Sequence, residues 1–129
     1  MRIADTNVLL GLVLSDRPEH SVFAEAAADA AAGPVLITEA VLAETVWTLT
    51  KRYGRTRGSV AALMLDVLDG PGVVAWDAGL ARRALRLMKA EPSLSIVDCL
   101  LLERGLSEQA EIASFDRRML KRAGEYTEL

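Results

Sequence analysis

The chain has 129 residues, close to the commonest size of a single domain, and 51% of them are hydrophobic, so one core is expected over residues 1–129. Fifteen Lys and Arg side chains stand against 18 Asp and Glu side chains, which excludes a strongly basic protein that binds nucleic acid through net charge alone. One cysteine excludes an internal disulfide, and with no secretory signal or membrane-length apolar run we expect a reducing, cytoplasmic setting.

The N-terminal segment predicts a strand followed directly by a helix. Ile3 and Ala4 indicate a short buried strand, and residues 7–14 indicate a helix with no polar face. Such a helix is either fully buried or covered by a partner. Asp5 lies where the strand would end, and ligands bind at the carboxyl ends of strands in parallel α/β sheets. Asp5 is therefore a candidate site residue. The alternative is that Asp5 or Thr6 only caps the following helix.

Helices and strands alternate along the rest of the chain. A capping-box sequence at residues 16–19 and candidate N-caps at Thr38 and Asp77 mark helix starts. The further predicted helices cover residues 19–32, 39–53, 57–68, 78–89 and 95–104, with a short basic helix after residue 116. The further predicted strands cover residues 35–37, 73–76 and 111–115, with a marginal fifth strand at 126–129. This alternation predicts a three-layer α/β/α domain with a central, mainly parallel sheet of four or five strands.

Two acids on predicted helices have no local basic partner. The residues three and four positions from Asp98, and those from Glu44, include no Lys or Arg. An unpaired carboxylate among apolar residues is costly, so Asp98 is expected to have a cation or another distant partner. Asp98 could instead close a capping box, and Glu44 could simply be solvated. Asp116 follows the apolar segment 112–115, precedes two arginines, and also suits a helix cap.

Four acids are thus candidates for one site: Asp5, Glu44, Asp98 and Asp116. In a parallel sheet, acids at strand ends and at the starts of the following helices meet at the same edge. Four converging carboxylates would repel one another, and a hard divalent cation with oxygen ligands removes that repulsion. Mg²⁺ or Mn²⁺ is the expected ion, with Asn7 and Ser114 as supporting groups. One Cys and one His cannot build a structural zinc site.

The segments around these acids resemble those of PIN-domain ribonucleases, and most closely the VapC-type toxins of bacterial toxin-antitoxin pairs. The matching segments are residues 3–10, 38–44, 95–101 and 113–116, in the family's order. The resemblance implies that the four acids are the metal-binding, catalytic residues and that Ser114 is the family's small hydroxyl residue. It also implies Mg²⁺-dependent cleavage of single-stranded or looped RNA and a cognate VapB-like antitoxin. We further expect a homodimer formed through helical faces.

Two clusters of basic side chains offer contacts to RNA phosphates. They are Lys51, Arg52, Arg55 and Arg57 in the first cluster, and Arg117, Arg118, Lys121 and Arg122 in the second. Each cluster also suits a solvated helix end that the helix dipole favours. We expect Cys99 to be a buried thiol, Trp47 and Trp76 to pack inside the protein rather than stack on bases, and His20 to be an exposed helix residue.

Other interpretations of an acidic α/β domain fit the sequence less well. A phosphorylation receiver needs an acidic pair after the first strand and a late Lys, and neither is evident. A phosphatase of the haloacid-dehalogenase type needs a second acid where this chain has Asn7. A catalytically inactive PIN-like module that binds RNA or protein is the non-enzyme alternative.

Overall fold

A computed structural model describes residues 1–14, 33–70 and 72–127, so the helix predicted over residues 19–32, with His20, lies outside the described residues. Within these ranges, three strands form one parallel sheet in the order of the chain: β1 is Arg2–Ile3, β2 is Val35–Ile37 and β3 is Val73–Ala75. Ile3 lies opposite Leu36, and Leu36 lies opposite Val74. Because the strands are parallel, their carboxyl ends meet at one edge of the sheet.

Six helices surround the sheet in the described ranges: α1 is Thr6–Leu14, α2 is Glu39–Lys51, α3 is Arg57–Asp69, α4 is Ala78–Ala90, α5 is Ile96–Glu108 and α6 is Arg117–Thr127. The predicted N-caps are confirmed, since the Thr38 hydroxyl accepts a hydrogen bond from the Val41 N–H and the Asp77 carboxylate accepts one from the Leu80 N–H. The predicted α/β class with a parallel sheet is confirmed. None of these helices has the length and apolar content that a bilayer crossing requires.

Residues 111–115, predicted as a fourth strand, run as irregular chain between α5 and α6. The Phe115 side chain in this segment is fully exposed. The Ser114 hydroxyl accepts a hydrogen bond from the Asp116 N–H at 2.9 Å, and such local bonding competes with strand pairing. Residues 126 and 127, predicted to begin a fifth strand, end α6 instead, and residues 128–129 are outside the described ranges.

Helix α1 is buried by the chain itself. Four of its side chains are each no more than 6% exposed: Leu9, Leu10, Val13 and Leu14. Of the two predicted environments, burial within the protein and cover by a partner, the structure shows the first. The prediction that β1 is buried is only half right. Ala4 is buried, but the Ile3 side chain is 68% exposed because successive residues of an extended chain point to opposite faces.

Arg57, at the start of α3, donates hydrogen bonds to the connection between α4 and α5. Its Nη2 group donates to the carbonyl of Met88 at 2.8 Å, and also contacts the carbonyls of Glu91 and Leu94. These carbonyls belong to the last turn of α4 and to the loop that follows it. The guanidinium therefore holds the segment that leads into α5, and it is not available for the phosphate contact that the sequence suggested.

Candidate metal centre

Asp5 directly follows β1 and caps α1. Its Oδ1 atom accepts a hydrogen bond from the Val8 N–H at 3.0 Å, and its carbonyl accepts one from the Leu9 N–H. The side chain is exposed, as is that of Asn7 in the first turn of the helix. The predicted order of strand, acid and helix is confirmed, and the capping role proposed as the alternative for Asp5 is present as well.

Glu44 lies in the middle of α2 and reaches the start of α1. Its Oε2 atom accepts a hydrogen bond from the Thr6 hydroxyl at 2.9 Å. Because Thr6 follows Asp5 in the chain, this bond places Glu44 beside the end of β1. Thr6 is a site residue that the sequence analysis missed; the available signal was a hydroxyl directly after the candidate acid.

Asp98 forms a capping box at the start of α5. Its Oδ2 atom accepts from the Ser95 N–H, and its own N–H donates to the Ser95 hydroxyl, each at 3.1 Å. The structural alternative for Asp98 is therefore present as well. The capping box occupies Oδ2 of Asp98 and leaves Oδ1 with no partner in the described part of the chain.

The packing of α5 on α2 brings Asp98 to the level of Glu44. Arg104 of α5 pairs with Glu39 of α2, while Ile96 lines a cleft with Val46 of α2. The two helices are thus antiparallel along this contact. Counting six residues back from Arg104 puts Asp98 opposite Thr45, and counting two residues on from Ile96 puts it opposite Glu44. At a rise of about 1.5 Å per residue, Asp98 and Glu44 therefore lie within about one residue of the same height.

Asp116 caps α6. Its Oδ1 atom accepts from the N–H groups of Arg118 and Met119 at 2.9 and 3.2 Å, and the Arg118 Nε atom lies 3.8 Å from the same oxygen. The Ser114 hydroxyl accepts from the Asp116 N–H and so fixes the turn before the helix. Asp116 differs from the other three acids because a basic side chain lies near it.

The four acids share one arrangement of oxygens. One oxygen of each carboxylate is held by the protein, and the second has no partner within residues 1–14, 33–70 and 72–127. The free atoms are Asp5 Oδ2, Glu44 Oε1, Asp98 Oδ1 and Asp116 Oδ2. No three acidic, Cys or His side chains in these ranges lie close enough together to ligate one ion directly. This donor set fits Mg²⁺, which keeps several water ligands and is usually held by one or two carboxylates.

A comparison with protein-family models matches residues 2–125 to the PIN domain. The chain belongs to the PIN-domain family. The match includes all four candidate acids and confirms the family that the sequence segments resemble. PIN domains are generally nucleases, typically use divalent metals such as Mg²⁺, and their fold suggests RNA binding. No curated protein and no solved structure matches the chain significantly.

Several other acids of this PIN domain are paired with arginine, in contrast to Asp5, Glu44 and Asp98. Arg104 pairs with Glu39, with Asp77 at 3.3 Å and with Glu108 at 3.5 Å. The hydrogen bond to Glu39, with the attraction of these carboxylates, raises the pKa of Arg104 above its ordinary value. No ion pair in the described ranges involves Asp5, Glu44 or Asp98.

The basic side chains of the PIN domain divide into engaged and exposed ones. Arg57 is engaged by carbonyls, and Arg122 pairs with Glu91 at 2.8 Å and with Glu125 at 2.9 Å. Arg55 is half-buried. The exposed members of the two clusters are Lys51, Arg52, Arg117, Arg118 and Lys121. The prediction of phosphate contacts therefore rests on these five side chains. Arg122 would have to break its ion pairs with Glu91 and Glu125 before it could contact a phosphate.

Cys99 is fully buried, as the sequence predicted. Desolvation by burial raises the pKa of its thiol to about 12, with smaller contributions from nearby charges. The thiol is therefore protonated near neutral pH, and it is buried away from any substrate.

The prediction that Trp47 and Trp76 pack inside the protein is wrong. The Trp47 side chain is 55% exposed and that of Trp76 is 69% exposed. Trp47 is on α2, one turn after Glu44, and Trp76 follows β3. Single apolar side chains at a surface are common, so exposure alone does not assign either indole a role.

Proposed function

We propose that this PIN domain is an Mg²⁺- or Mn²⁺-dependent endoribonuclease that cuts single-stranded or looped RNA. The observation that supports this proposal is the set of four carboxylates, each with one oxygen held by the protein and one oxygen open. Three of them have no basic partner in the described part of the chain. Structural carboxylates in the same protein are paired with arginine, as Glu39 and Asp77 are.

The chain's own residues would position the ion and the RNA. One or two of the carboxylates of Asp5, Glu44 and Asp98 would ligate the cation directly, and the remaining one would hold its water ligands. Thr6 would keep Glu44 in place through its hydroxyl group. Asp116 would complete the acidic edge from the start of α6. When bound, the ion lowers the pKa of a water molecule and stabilises negative charge on the phosphodiester. This chemistry needs no catalytic His or Cys, and the buried Cys99 thiol supplies none.

An RNA-cleavage assay tests the enzymatic proposal. The purified chain is incubated with an unpaired RNA and with the same sequence as a duplex, in Mg²⁺, in Mn²⁺ and in EDTA. We expect internal cuts in the unpaired RNA with either metal and none in EDTA. RNA binding without cleavage in all three conditions would instead identify a catalytically inactive PIN module.

We further propose that the protein acts in the cytoplasm as a VapC-type toxin with a VapB-like antitoxin. The support is the likeness of the four acidic segments to that subfamily. Because α1 is buried by the chain, the antitoxin is not expected to cover this helix. We propose that the antitoxin inhibits cleavage by placing an Arg or Lys side chain at the acidic edge, where it replaces the cation. Growth arrest on expression, relieved by a small protein encoded upstream, would support the toxin role.

A homodimer formed through helical faces also remains a prediction. Light scattering of the purified chain measures its mass in solution. A mass of one chain at all concentrations would exclude the dimer.

Replacing Arg117 and Arg118 by alanine should weaken RNA binding and flatten its salt dependence. Both side chains are exposed beside Asp116, where they can reach phosphates on either side of the cut. The slope of log K against log salt should fall by about 0.7 for each phosphate of single-stranded RNA that no longer has an arginine beside it. Arg86→Ala, which removes an exposed arginine on α4, is the matched control. A double variant with the wild-type slope would assign both residues to the solvated surface.

A further inference from the structure

A cleft with an aromatic wall adjoins the candidate metal centre. It has a volume of about 220 Å³ and lies between the second half of α2 and residues 92–96, which lead into α5. Trp47 forms part of its wall, with Lys51, Ser93 and Ser95 among the other lining residues. Pockets that enclose a whole drug-sized ligand measure about 300–1,000 Å³, so this cleft suits one flat group of a longer ligand.

The cleft is tied to two of the candidate acids. Glu44, Trp47 and Lys51 are separated by three and four residues and form one exposed stripe along α2. On the opposite wall, Ser95 exchanges two hydrogen bonds with Asp98. A group in the cleft is therefore next to the carboxylates that we propose hold the cation.

The wall formed by residues 92–96 is fixed before any ligand arrives. Arg57, which also lines the cleft, directs its Nη2 group to the carbonyls of Met88, Glu91 and Leu94. The Arg57 guanidinium is therefore engaged by backbone carbonyls and does not offer its charge to a ligand in the cleft. Lys51 and the adjacent Arg52 are exposed and supply positive charge at the outer end of the stripe.

We propose that this cleft receives one unpaired base of the substrate RNA, with its ring stacked on Trp47 and a neighbouring phosphate near Lys51. The inference rests on the proposed ribonuclease function and adds a subsite to it. Aromatic side chains stack on any base, while nearby cations hold the backbone, which is the usual chemistry of single-strand binding. A paired base is already stacked and cannot turn into the cleft, so this subsite would favour unpaired RNA.

Tryptophan fluorescence tests the stacking directly, because the chain has only two tryptophans. Trp76→Phe leaves Trp47 as the sole indole, and Trp47→Phe leaves Trp76. Each variant is titrated in EDTA, where no cleavage is expected, with a short unpaired RNA of mixed sequence. We expect saturable quenching in the Trp76→Phe protein and little change in the Trp47→Phe protein. Absence of quenching from Trp47, or equal quenching by duplex RNA, would overturn the proposal.

Affinity measurements on alanine variants give the size of the effect. Trp47→Ala should bind unpaired RNA about tenfold more weakly or worse, the loss typical of removing a base-stacking side chain. Trp47 is exposed, so the variant should keep its fold, and Trp76→Ala serves as the matched control with near-wild-type affinity. Trp47→Phe should keep part of the affinity because it keeps an aromatic ring. Wild-type affinity in Trp47→Ala would overturn the proposal.

The same preparations separate this inference from the proposed function. Wild-type protein that cleaves RNA while Trp47 stays unquenched would overturn the subsite and leave the nuclease standing. Saturable quenching of Trp47 without metal-dependent cleavage would support the subsite and overturn the nuclease. Shielding of Trp47 from a soluble quencher that grows with protein concentration, without RNA, would assign the cleft to a second copy and overturn the subsite.

Discussion

Replacing Asp98 by asparagine should reduce metal-dependent cleavage of single-stranded RNA on the order of 100-fold or more, since even groups that only support metal ligands contribute 10- to 100-fold. Asparagine keeps the side-chain volume and an oxygen that can accept the Ser95 N–H, so the capping box can persist. What it loses is the negative charge that a divalent cation requires. The measurement is the initial rate of cleavage in Mg²⁺ for the variant and the wild type.

The matched control for this variant is Asp66→Asn on α3. Asp66 is exposed and has no partner in the described part of the chain, so the same chemical change should leave the cleavage rate within about twofold of wild type. An Asp98→Asn protein that cleaves at the wild-type rate would remove Asp98 from the site.

Replacing Arg57 by alanine should lower the free energy of unfolding by about 3 kcal/mol. Hydrogen bonds to charged groups contribute about 1.5–3 kcal/mol, and the variant leaves the carbonyls at the end of α4 without their donor. The contributions of bonds that share one donor group do not add fully. Urea unfolding measures the change as a lower midpoint with an unchanged slope.

Arg55→Ala is the control for the Arg57 experiment. Arg55 has the same charge two residues earlier and no side-chain partner in the described ranges, so its loss should change stability by no more than about 0.5 kcal/mol. Arg57→Lys should recover only part of the loss, because an ammonium group cannot reproduce the planar donor geometry. If Arg57→Ala lowers the free energy of unfolding by less than about 1 kcal/mol, the loop after α4 does not depend on the Arg57 hydrogen bonds.

The fold was predictable where its causes are local. Thr38 and Asp77 cap helices through side-chain bonds to N–H groups three residues later, so the sequence displays each cap directly. Leu42, Val46 and Leu49 repeat with helical spacing, which places them on one face of α2, and all three are buried. Residues 111–115 would form a strand only if they paired with a neighbouring strand, and such tertiary pairing cannot be read from the local sequence.

The candidate site was predictable in its acids but not in its contacts. Glu44 and Thr6 are 38 residues apart, and the carbonyls that engage Arg57 lie 31 to 37 residues away from it. Pairings at such distances follow from tertiary packing and leave no local pattern. The exposure of Trp47 did have a signal, since it lies at helical spacing between Glu44 and Lys51 on an otherwise polar stripe.

The most direct test of the metal centre is the melting temperature of the wild type and of Asp98→Asn, each in Mn²⁺, in Mg²⁺ and in EDTA. An ion that binds only the folded protein stabilises it by about 2.7 kcal/mol at a hundredfold excess over Kd, or roughly 10 °C for a domain of this size. We predict this rise for the wild type, little rise for Asp98→Asn, and metal-free stabilities within about 1 kcal/mol of each other because the capping box remains. A wild-type melting temperature that neither Mn²⁺ nor Mg²⁺ changes, or an Asp98→Asn protein that melts far below the wild type in EDTA, would contradict the metal centre and make Asp98 a structural residue.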